Sequence, residues 1–448
     1  MKNLSARSTV ARRFALVGLV AGALVLSGCG AGSPADDSSD GVTKIRFWQN
    51  QFSDEDNAWF KDAVKKFNDA HDDVQIELTV VPGDAWDQKI KAAQAAGTAP
   101  DIYTMNYSAV PMKARNEQVA PITDYIDEEG WADLDERFLD AVTVDGEQYA
   151  YPIYYEPSAL LFYRTDLYEA AGLDPAAPPR TWDELIEAGK KLKASGGKVI
   201  PFQLAQNAVE LSWTTWGAQY GTAGKMPISD DWSTSQAADP AFRPLFELYQ
   251  KLYGEGVLAK QALSGYGDAA PLGQGKLASM ASGSWAISLL LADYPKMIDK
   301  LAVAPMPTVD GDAERTTSTL GGWTIGVDAR SKNIEPAAEA IGWMLAEDPE
   351  IPKDYFLKTK FTKLSPRVSL ADELAQDPER TVNPFYDVLI ESTKTAILEP
   401  TYDWQVSLAM GTALEKAMRG GDIDAAMKEA DATITKVIAD LGLAEQLK

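Results

Sequence analysis

The pattern of apolar and polar residues in the first part of the folded chain switches between two periods. Apolar residues recur at every second position in some stretches, as in β-strands, and at every third or fourth position in others, as in amphipathic helices. The pattern predicts, in order, a strand over residues 44–48, a helix containing Phe60, Val64 and Phe67, a strand over 74–80, a helix over 85–96 and a strand over 102–105. This β-α-β-α-β order predicts a parallel sheet with right-handed crossovers.

The carboxyl ends of these predicted strands are candidate ligand positions, because ligands of open α/β sheets bind there. Trp48 and Asn50 stand at the end of the first strand, and Asn106 stands at the end of the third. We therefore expect these side chains to face a ligand. Loops that merely terminate the strands are the alternative explanation.

Three proline-containing segments predict places where the chain crosses between domains. Residues 149–157 combine two prolines with several tyrosines, and proline lacks the N–H that a central strand would donate. Residues 301–307 and 364–367 are the other two candidate crossovers. Beyond them, residues 320–323 are predicted to lead into a strand over 324–327, and helices over 404–418 and 423–441 close the chain.

The N-terminus has the layout of a secretory signal. A segment with four basic residues precedes an apolar run over 14–26, which is short for a membrane span. The run ends in Leu-Ser-Gly-Cys29, which resembles the lipobox of bacterial lipoproteins, in which the cysteine is acylated. We expect residues 1–28 to be a signal peptide, Cys29 to bear the lipid and residues 29–41 to be a linker. The alternative is an ordinary signal peptide with an incidental cysteine.

Composition excludes several classes of function. Removal of residues 1–28 leaves 420 of the 448 residues, and loss of their four basic residues changes the net charge from −24 to −28. Such a charge disfavours nucleic acid and anionic lipid as partners. His71 is the only histidine and Cys29 the only cysteine, so Ser-His-Asp sites, Cys-His sites, multi-histidine metal sites and internal disulfides are excluded.

An ordered set of motifs resembles the extracellular solute-binding proteins of carbohydrate ABC transporters, the family that includes maltose-binding protein. The motifs are the lipobox, the strand 44–48, Ala99-Pro100-Asp101-Ile102, Tyr151-Pro152-Ile153, the segment 167–173 before Thr181-Trp182-Asp183-Glu184-Leu185, Gly283-Ser284-Trp285 and Gly321-Gly322-Trp323. The resemblance implies the α/β, two-lobe fold of type II periplasmic binding proteins, with the ligand enclosed between lobes that close by hinge motion. It implies a first lobe of 42–151 and 304–365 and a second lobe of 152–303 and 366–448.

The resemblance also implies which residues face the ligand. It places Trp48 and Asn50 after the first strand, Glu156 as an acceptor of sugar hydroxyl hydrogen bonds and Arg367 near the sugar. It implies that aromatic and glycine residues form the remaining walls: Trp285, Trp404, Gly322 and Trp323. Tyr155, Trp213 and Asn106 are further candidates from their positions in predicted loops and at strand ends. Core packing of the aromatic residues and a structural salt bridge of Arg367 are the alternatives. Phe52 stands where maltose binders have an acidic residue, so maltose itself is in doubt.

We expect a receptor that performs no chemistry, with no catalytic residue, metal or cofactor. We expect it to bind a sugar, an oligosaccharide, as a monomer outside the cytoplasmic membrane and to deliver the sugar to the permease of an ABC importer. A pyranose has an apolar face that stacks on aromatic rings and a rim of hydroxyls that needs polar partners. Two alternatives remain open: a secreted glycoside hydrolase with two carboxylates, and the same fold with a polyamine or amino acid as its ligand.

Overall fold

The computed structural model describes residues 41–447, and of these 42–447 belong to one compact unit. Cys29, the predicted signal peptide and all but the last residue of the predicted linker lie outside the described residues. Within the described part of the chain, no helix combines the length and apolar character needed to cross a membrane.

The described chain combines strands and helices along its whole length. The strands are β1 (Thr43–Asn50), β2 (Val74–Val81), β3 (Ile102–Asn106), β4 (Thr143–Val144), β5 (Glu147–Gln148), β6 (Tyr151–Pro157), β7 (Leu160–Arg164), β8 (Ser279–Ser282), β9 (Leu301–Pro305), β10 (Thr319–Val327) and β11 (Ile397–Leu398). The α-helices are α1 (Asp54–Ala70), α2 (Trp86–Ala96), α3 (Val110–Arg115), α4 (Glu128–Ala132), α5 (Glu136–Val142), α6 (Thr165–Ala170), α7 (Trp182–Ala194), α8 (Ala208–Thr214), α9 (Trp216–Ala223), α10 (Arg243–Gly254), α11 (Ala270–Gly273), α12 (Trp285–Asp293), α13 (Pro295–Ile298), α14 (Ile334–Gly342), α15 (Glu350–Lys358), α16 (Val368–Gln376), α17 (Tyr386–Thr393), α18 (Trp404–Met418) and α19 (Ile423–Leu441).

The first sheet has six strands and confirms the predicted β-α-β-α-β start. β1 lies between β2 and β3 and runs parallel to both. β10 pairs antiparallel with β3 and with β6, and its first two residues pair with β11. Ser53 and Asp56 form a capping box at the start of α1, which buries Trp59, Phe60 and Phe67 against this sheet. We call the part of the chain packed around this sheet the first lobe.

The second sheet has three strands, with β7 paired antiparallel to β8 and β9. A separate hydrophobic core packs around it and joins α7, α10, α18 and α19. Thr181 and Glu184 form the predicted capping box at the start of α7. We call this part of the chain the second lobe.

Two of the three predicted crossovers lie further along the chain than the sequence indicates. The chain leaves the first sheet after β6, at the end of the candidate crossover 149–157, but the segment after β9 stays on the second lobe. There the Nε1–H of Trp182 donates to the Pro307 carbonyl at 2.9 Å, and the chain rejoins the first sheet only at Thr319. Leu370 and Leu374 pack in the first core, whereas the predicted boundary assigns them to the second lobe. Proline positions alone do not reveal these packing contacts.

β10 also begins earlier than predicted, because residues 320–323 are already paired with β6. Gly322 has a φ of +147° and lies beside a break in the strand register between Trp323 and Thr324. Two adjacent glycines in a sequence usually indicate a loop. Here Gly321 and Gly322 lie within a strand and permit a β-bulge where two backbones approach closely.

Candidate functional site

The candidate site lies where β6 and β10 run side by side and the chain passes between the lobes. Glu156 on β6 pairs with Gly321 on β10, and Tyr155 pairs with Gly322. An ideal Cβ on Gly322 would lie 2.2 Å from the Tyr154 carbonyl oxygen, and one on Gly321 would lie 2.5 Å from the Glu399 Oε1. The two glycines therefore leave space for a neighbouring backbone and a neighbouring carboxyl group.

The Glu156 carboxylate links this strand pair to the second lobe. It is 6% exposed, and its Oε2 accepts a 2.9 Å hydrogen bond from the Ser284 hydroxyl. The backbone N–H of Trp285, at the start of α12, also donates to it. Burial raises the pKa of Glu156, while the Lys363 cation and these hydrogen bonds oppose the rise.

A buried ion pair lies next to Glu156. The Nζ of Lys363 is 3.4 Å from Oδ2 of Asp56, and their side chains are 3% and 1% exposed. The same Nζ lies 5.1 Å from the centre of the Tyr154 ring. Burial acts to lower the pKa of Lys363, but the Asp56 and Glu156 carboxylates outweigh it and raise that pKa. Lys363 therefore remains a cation facing two acidic side chains.

Glu399 is a second, partly buried carboxyl group at this position, and no sequence pattern indicates it. The side chain and backbone N–H of Ser108 interact with it, but its Oε2 is buried and has no hydrogen-bond partner. Burial raises the pKa of Glu399 to about 7, Ser108 acts to lower it, and the neighbouring Glu156 acts to raise it. Glu399 is therefore poised to gain or lose a proton near neutral pH.

Three aromatic residues form a wall beside Glu156. The Trp213 ring centre lies 5.4 Å from that of Tyr266 and 6.1 Å from that of Trp285. The Tyr266 hydroxyl donates to the Ser158 carbonyl at 2.9 Å, whereas the Nε1–H of Trp285 is buried without a partner. The structure thus brings the predicted residues Trp213, Trp285 and Glu156 together and adds Tyr266, which the sequence analysis missed.

A second aromatic group belongs to the first lobe. The Trp323 ring lies 4.9 Å from Phe52 and 6.4 Å from Trp86, and it remains half-buried. Asn106, which pairs with Trp323, is exposed. Trp48 is half-buried, with the Lys89 Nζ 4.6 Å from its ring centre.

Asn50 has one free hydrogen-bonding atom. Its backbone N–H donates to the Thr104 hydroxyl at 3.0 Å, and its buried Oδ1 has no partner. The Oε1 of the adjacent Gln49 is likewise buried without a partner. Buried polar atoms of this kind are uncommon, and they can be satisfied by a ligand or by water.

Three predicted residues have other surroundings. Tyr155 stacks on Phe138, with ring centres 4.4 Å apart, and belongs to the first core. Arg367 donates from Nε to Asp133 at 2.8 Å and from Nη1 to the Leu345 carbonyl at 2.9 Å, which is the structural salt bridge given above as the alternative to a ligand-facing role. Trp404 is 42% exposed at the start of α18, with Trp216 as its aromatic neighbour at 6.4 Å.

Among the side chains that the structure describes, no group of three or more histidine, cysteine, aspartate or glutamate residues could hold a metal ion. The arrangement offers aromatic faces, carboxylates and unpartnered amide and indole groups, which suit a neutral polar ligand.

Comparisons with known proteins agree with this architecture. A sequence model of the family described as "Bacterial extracellular solute-binding protein" matches residues 53–351. A putative binding protein of Brucella abortus is 25% identical over 69% of this chain and 74% of its own. The lactose-binding protein of Rhizobium radiobacter is 27% identical over 69% of this chain and 71% of its own. A solute-binding protein of an ABC transporter from Thermotoga lettingae, crystallised with α-D-tagatose, superimposes with a TM-score of 0.75 at 22% identity and covers 88% of this chain and 100% of its own. The fold is therefore the two-lobe α/β fold of these proteins.

Proposed function

Because the chain belongs to the bacterial extracellular solute-binding protein family, we propose that it is a receptor that binds a sugar between its two lobes and delivers it to an ABC importer. Members of this family are binding proteins rather than enzymes, and their location is extracytoplasmic. We also propose that the permease of the importer is its partner and that it acts as a monomer.

The observation that carries the sugar assignment is the pairing of Trp285 with Glu156. The indole offers a flat apolar face and an unpartnered N–H, and the Glu156 carboxylate lies against the backbone N–H of the same residue. A pyranose needs both an aromatic face and hydrogen-bonding groups at its rim. Trp213 and Tyr266 extend the aromatic wall.

The relatives support the same class of ligand. One matched relative is named for lactose, and the structure from Thermotoga lettingae contains α-D-tagatose. We propose a mono- or oligosaccharide for this chain on these grounds together with the aromatic wall.

We further propose that acylated Cys29 anchors the chain to the outer face of the cell membrane. The Leu-Ser-Gly-Cys sequence after the apolar run supports this proposal. Metabolic labelling with palmitate should label the wild type and fail to label Cys29→Ala. Equal labelling of the two proteins would refute the anchor without affecting the binding proposal.

A thermal-shift screen of the purified protein tests the ligand class. The probes are D-tagatose, lactose, maltose and maltotriose, with glutamate, lysine and spermidine as controls. A ligand that binds only the folded state raises the melting temperature by mass action. We expect a shift with at least one sugar and no hydrolysis product by chromatography. A shift with an amine alone, or release of a product, would overturn the proposal.

A further inference from the structure

Glu399 lies at the boundary between the two lobes. It belongs to the segment before α18, a helix that packs in the second core through Val406, Met410 and Leu414. Its carboxyl group interacts with Ser108, which lies two residues after the carboxyl end of β3 in the first sheet. Glu399 itself directly follows β11 of the same sheet, so the carboxyl group lies at the ligand-binding edge of the first sheet, where the chain passes on to the second lobe.

The glycine at position 321 brings Glu399 alongside Glu156. Paired residues of antiparallel strands direct their side chains to the same face of the sheet. Glu156 is the partner of Gly321, and the absent Cβ of Gly321 would point at Glu399 Oε1 from 2.5 Å. The two carboxyl groups thus lie on one face, beside Ser284 and Trp285.

The two carboxyl groups differ in whether an oxygen is left without a partner. Glu156 accepts hydrogen bonds from Ser284 and from the backbone N–H of Trp285, whereas Glu399 Oε2 is buried with no partner. A buried polar atom left unpaired is costly, so a hydroxyl group that reached it would gain a charge-assisted hydrogen bond.

Building on the proposed sugar-binding function, we propose that Glu399 is a ligand-contacting residue whose Oε2 accepts a hydrogen bond from a sugar hydroxyl. The hinge opening of two-lobe binding proteins would give the sugar access to this buried atom. The bond stabilises the carboxylate form of Glu399, so sugar binding releases a proton.

The titratable and charged groups around Glu399 influence its proton uptake and release. Glu156 faces Glu399 from β6, and Tyr107 faces it from the segment after β3. The Lys363 cation faces Glu156. In the free protein the proton is on Glu399 for part of the population near neutral pH, since its pKa is about 7. On binding, that proton passes to the buffer.

Isothermal titration calorimetry at pH 7 tests this inference. The probe is the sugar, among D-tagatose, lactose, maltose and maltotriose, that gives the largest thermal shift. Titrations in phosphate and in Tris, which differ in ionisation enthalpy, measure the protons exchanged on binding. We expect proton release in the wild type, and in Glu399→Gln no proton release and binding weaker by about tenfold. Glu399→Asp keeps a carboxyl group and should keep proton release.

Glu347→Gln is the matched control, because desolvation also raises the pKa of Glu347, but this residue lies at the surface of the first lobe near Asp127 and His71. It should bind and release protons as the wild type does. The inference fails if Glu399→Gln keeps wild-type affinity, if the wild type exchanges no proton, or if it takes one up. Absence of sugar binding by the wild type would instead refute the proposed function.

Discussion

The Nζ of Lys363 lies 3.4 Å from Oδ2 of Asp56 in a place that solvent scarcely reaches. The other oxygen of this carboxylate, Oδ1, accepts a hydrogen bond from the Tyr355 hydroxyl. Asp56 also closes the capping box at the start of α1. One carboxylate therefore fixes a helix terminus and neutralises the cation that faces Glu156.

Replacing Lys363 by methionine should destabilise the protein strongly. The substitution leaves the Asp56 charge buried without a counter-ion, a change that typically costs about 3–5 kcal/mol. Urea unfolding at pH 7 measures the difference. Lys394→Met is the matched control, because its pair with Glu391 is about 60% exposed on both sides and such pairs contribute about 0–1 kcal/mol. Equal losses in the two variants would contradict the role of burial.

Two tryptophan-to-phenylalanine substitutions should separate binding from stability. Trp285→Phe removes an N–H that has no partner in the described structure, so stability should hardly change while sugar affinity falls about tenfold. Trp182→Phe removes the donor to the Pro307 carbonyl, so it should cost about 1–3 kcal/mol of stability and leave affinity unchanged. Urea unfolding measures the stability of each variant, and titration calorimetry measures its sugar affinity. A loss of stability without loss of affinity in Trp285→Phe would remove this residue from the site.

The two adjacent glycines of β10 should respond differently to alanine. At Gly321 the new Cβ meets the end of the Glu399 side chain, which can move aside, so affinity should fall several-fold with a stability loss below about 1 kcal/mol. At Gly322 the new Cβ would lie 2.2 Å from the Tyr154 carbonyl oxygen, and the residue would have to keep a φ of +147°. Overpacking and backbone strain should together cost about 3 kcal/mol or more of stability. Thermal denaturation with and without sugar distinguishes the two. Similar behaviour of both variants would mean that Gly321 does not position Glu399.

Glu399 should make stability depend on pH. The folded-state pKa of about 7 exceeds the usual 4.5, so the folded protein binds this proton more tightly than the unfolded chain does. The resulting stabilisation is complete below the unfolded value and is lost as pH rises through 7. Between pH 5 and pH 8 the wild type should therefore lose about 2.5 kcal/mol relative to Glu399→Gln, at about 1.4 kcal/mol per pKa unit. Urea unfolding of both proteins at the two pH values tests this, and parallel changes would contradict it.

The sequence determines the local elements of this fold well. The capping boxes at Ser53 and Thr181, the alternation in β2 and the helices after Trp404 and Ile423 are all where their patterns predict them. Each of these signals depends on residues within a few positions of one another.

The site was less predictable because its contacts connect distant parts of the chain. Glu399 and Ser108 are almost three hundred positions apart, and nothing near Glu399 in the sequence marks it as partly buried. Arg367 is a residue that the sequence suggests for the site, but it is paired with Asp133, which lies far earlier in the chain. Aromatic residues such as Tyr155 were ambiguous because core packing and ligand stacking favour the same residue types.

The position of β10 between β3 and β6 also has a kinetic consequence. β3 ends at Asn106 and its antiparallel partner begins at Thr319, with the sheet of the second lobe in between. Closing so long a loop is entropically costly, and such non-local pairing slows folding. The first lobe therefore cannot complete its sheet until β10 is available. The second lobe can form its sheet from residues 160–305, but its core also needs α18 and α19, so both lobes are expected to complete folding only when nearly the whole chain is available.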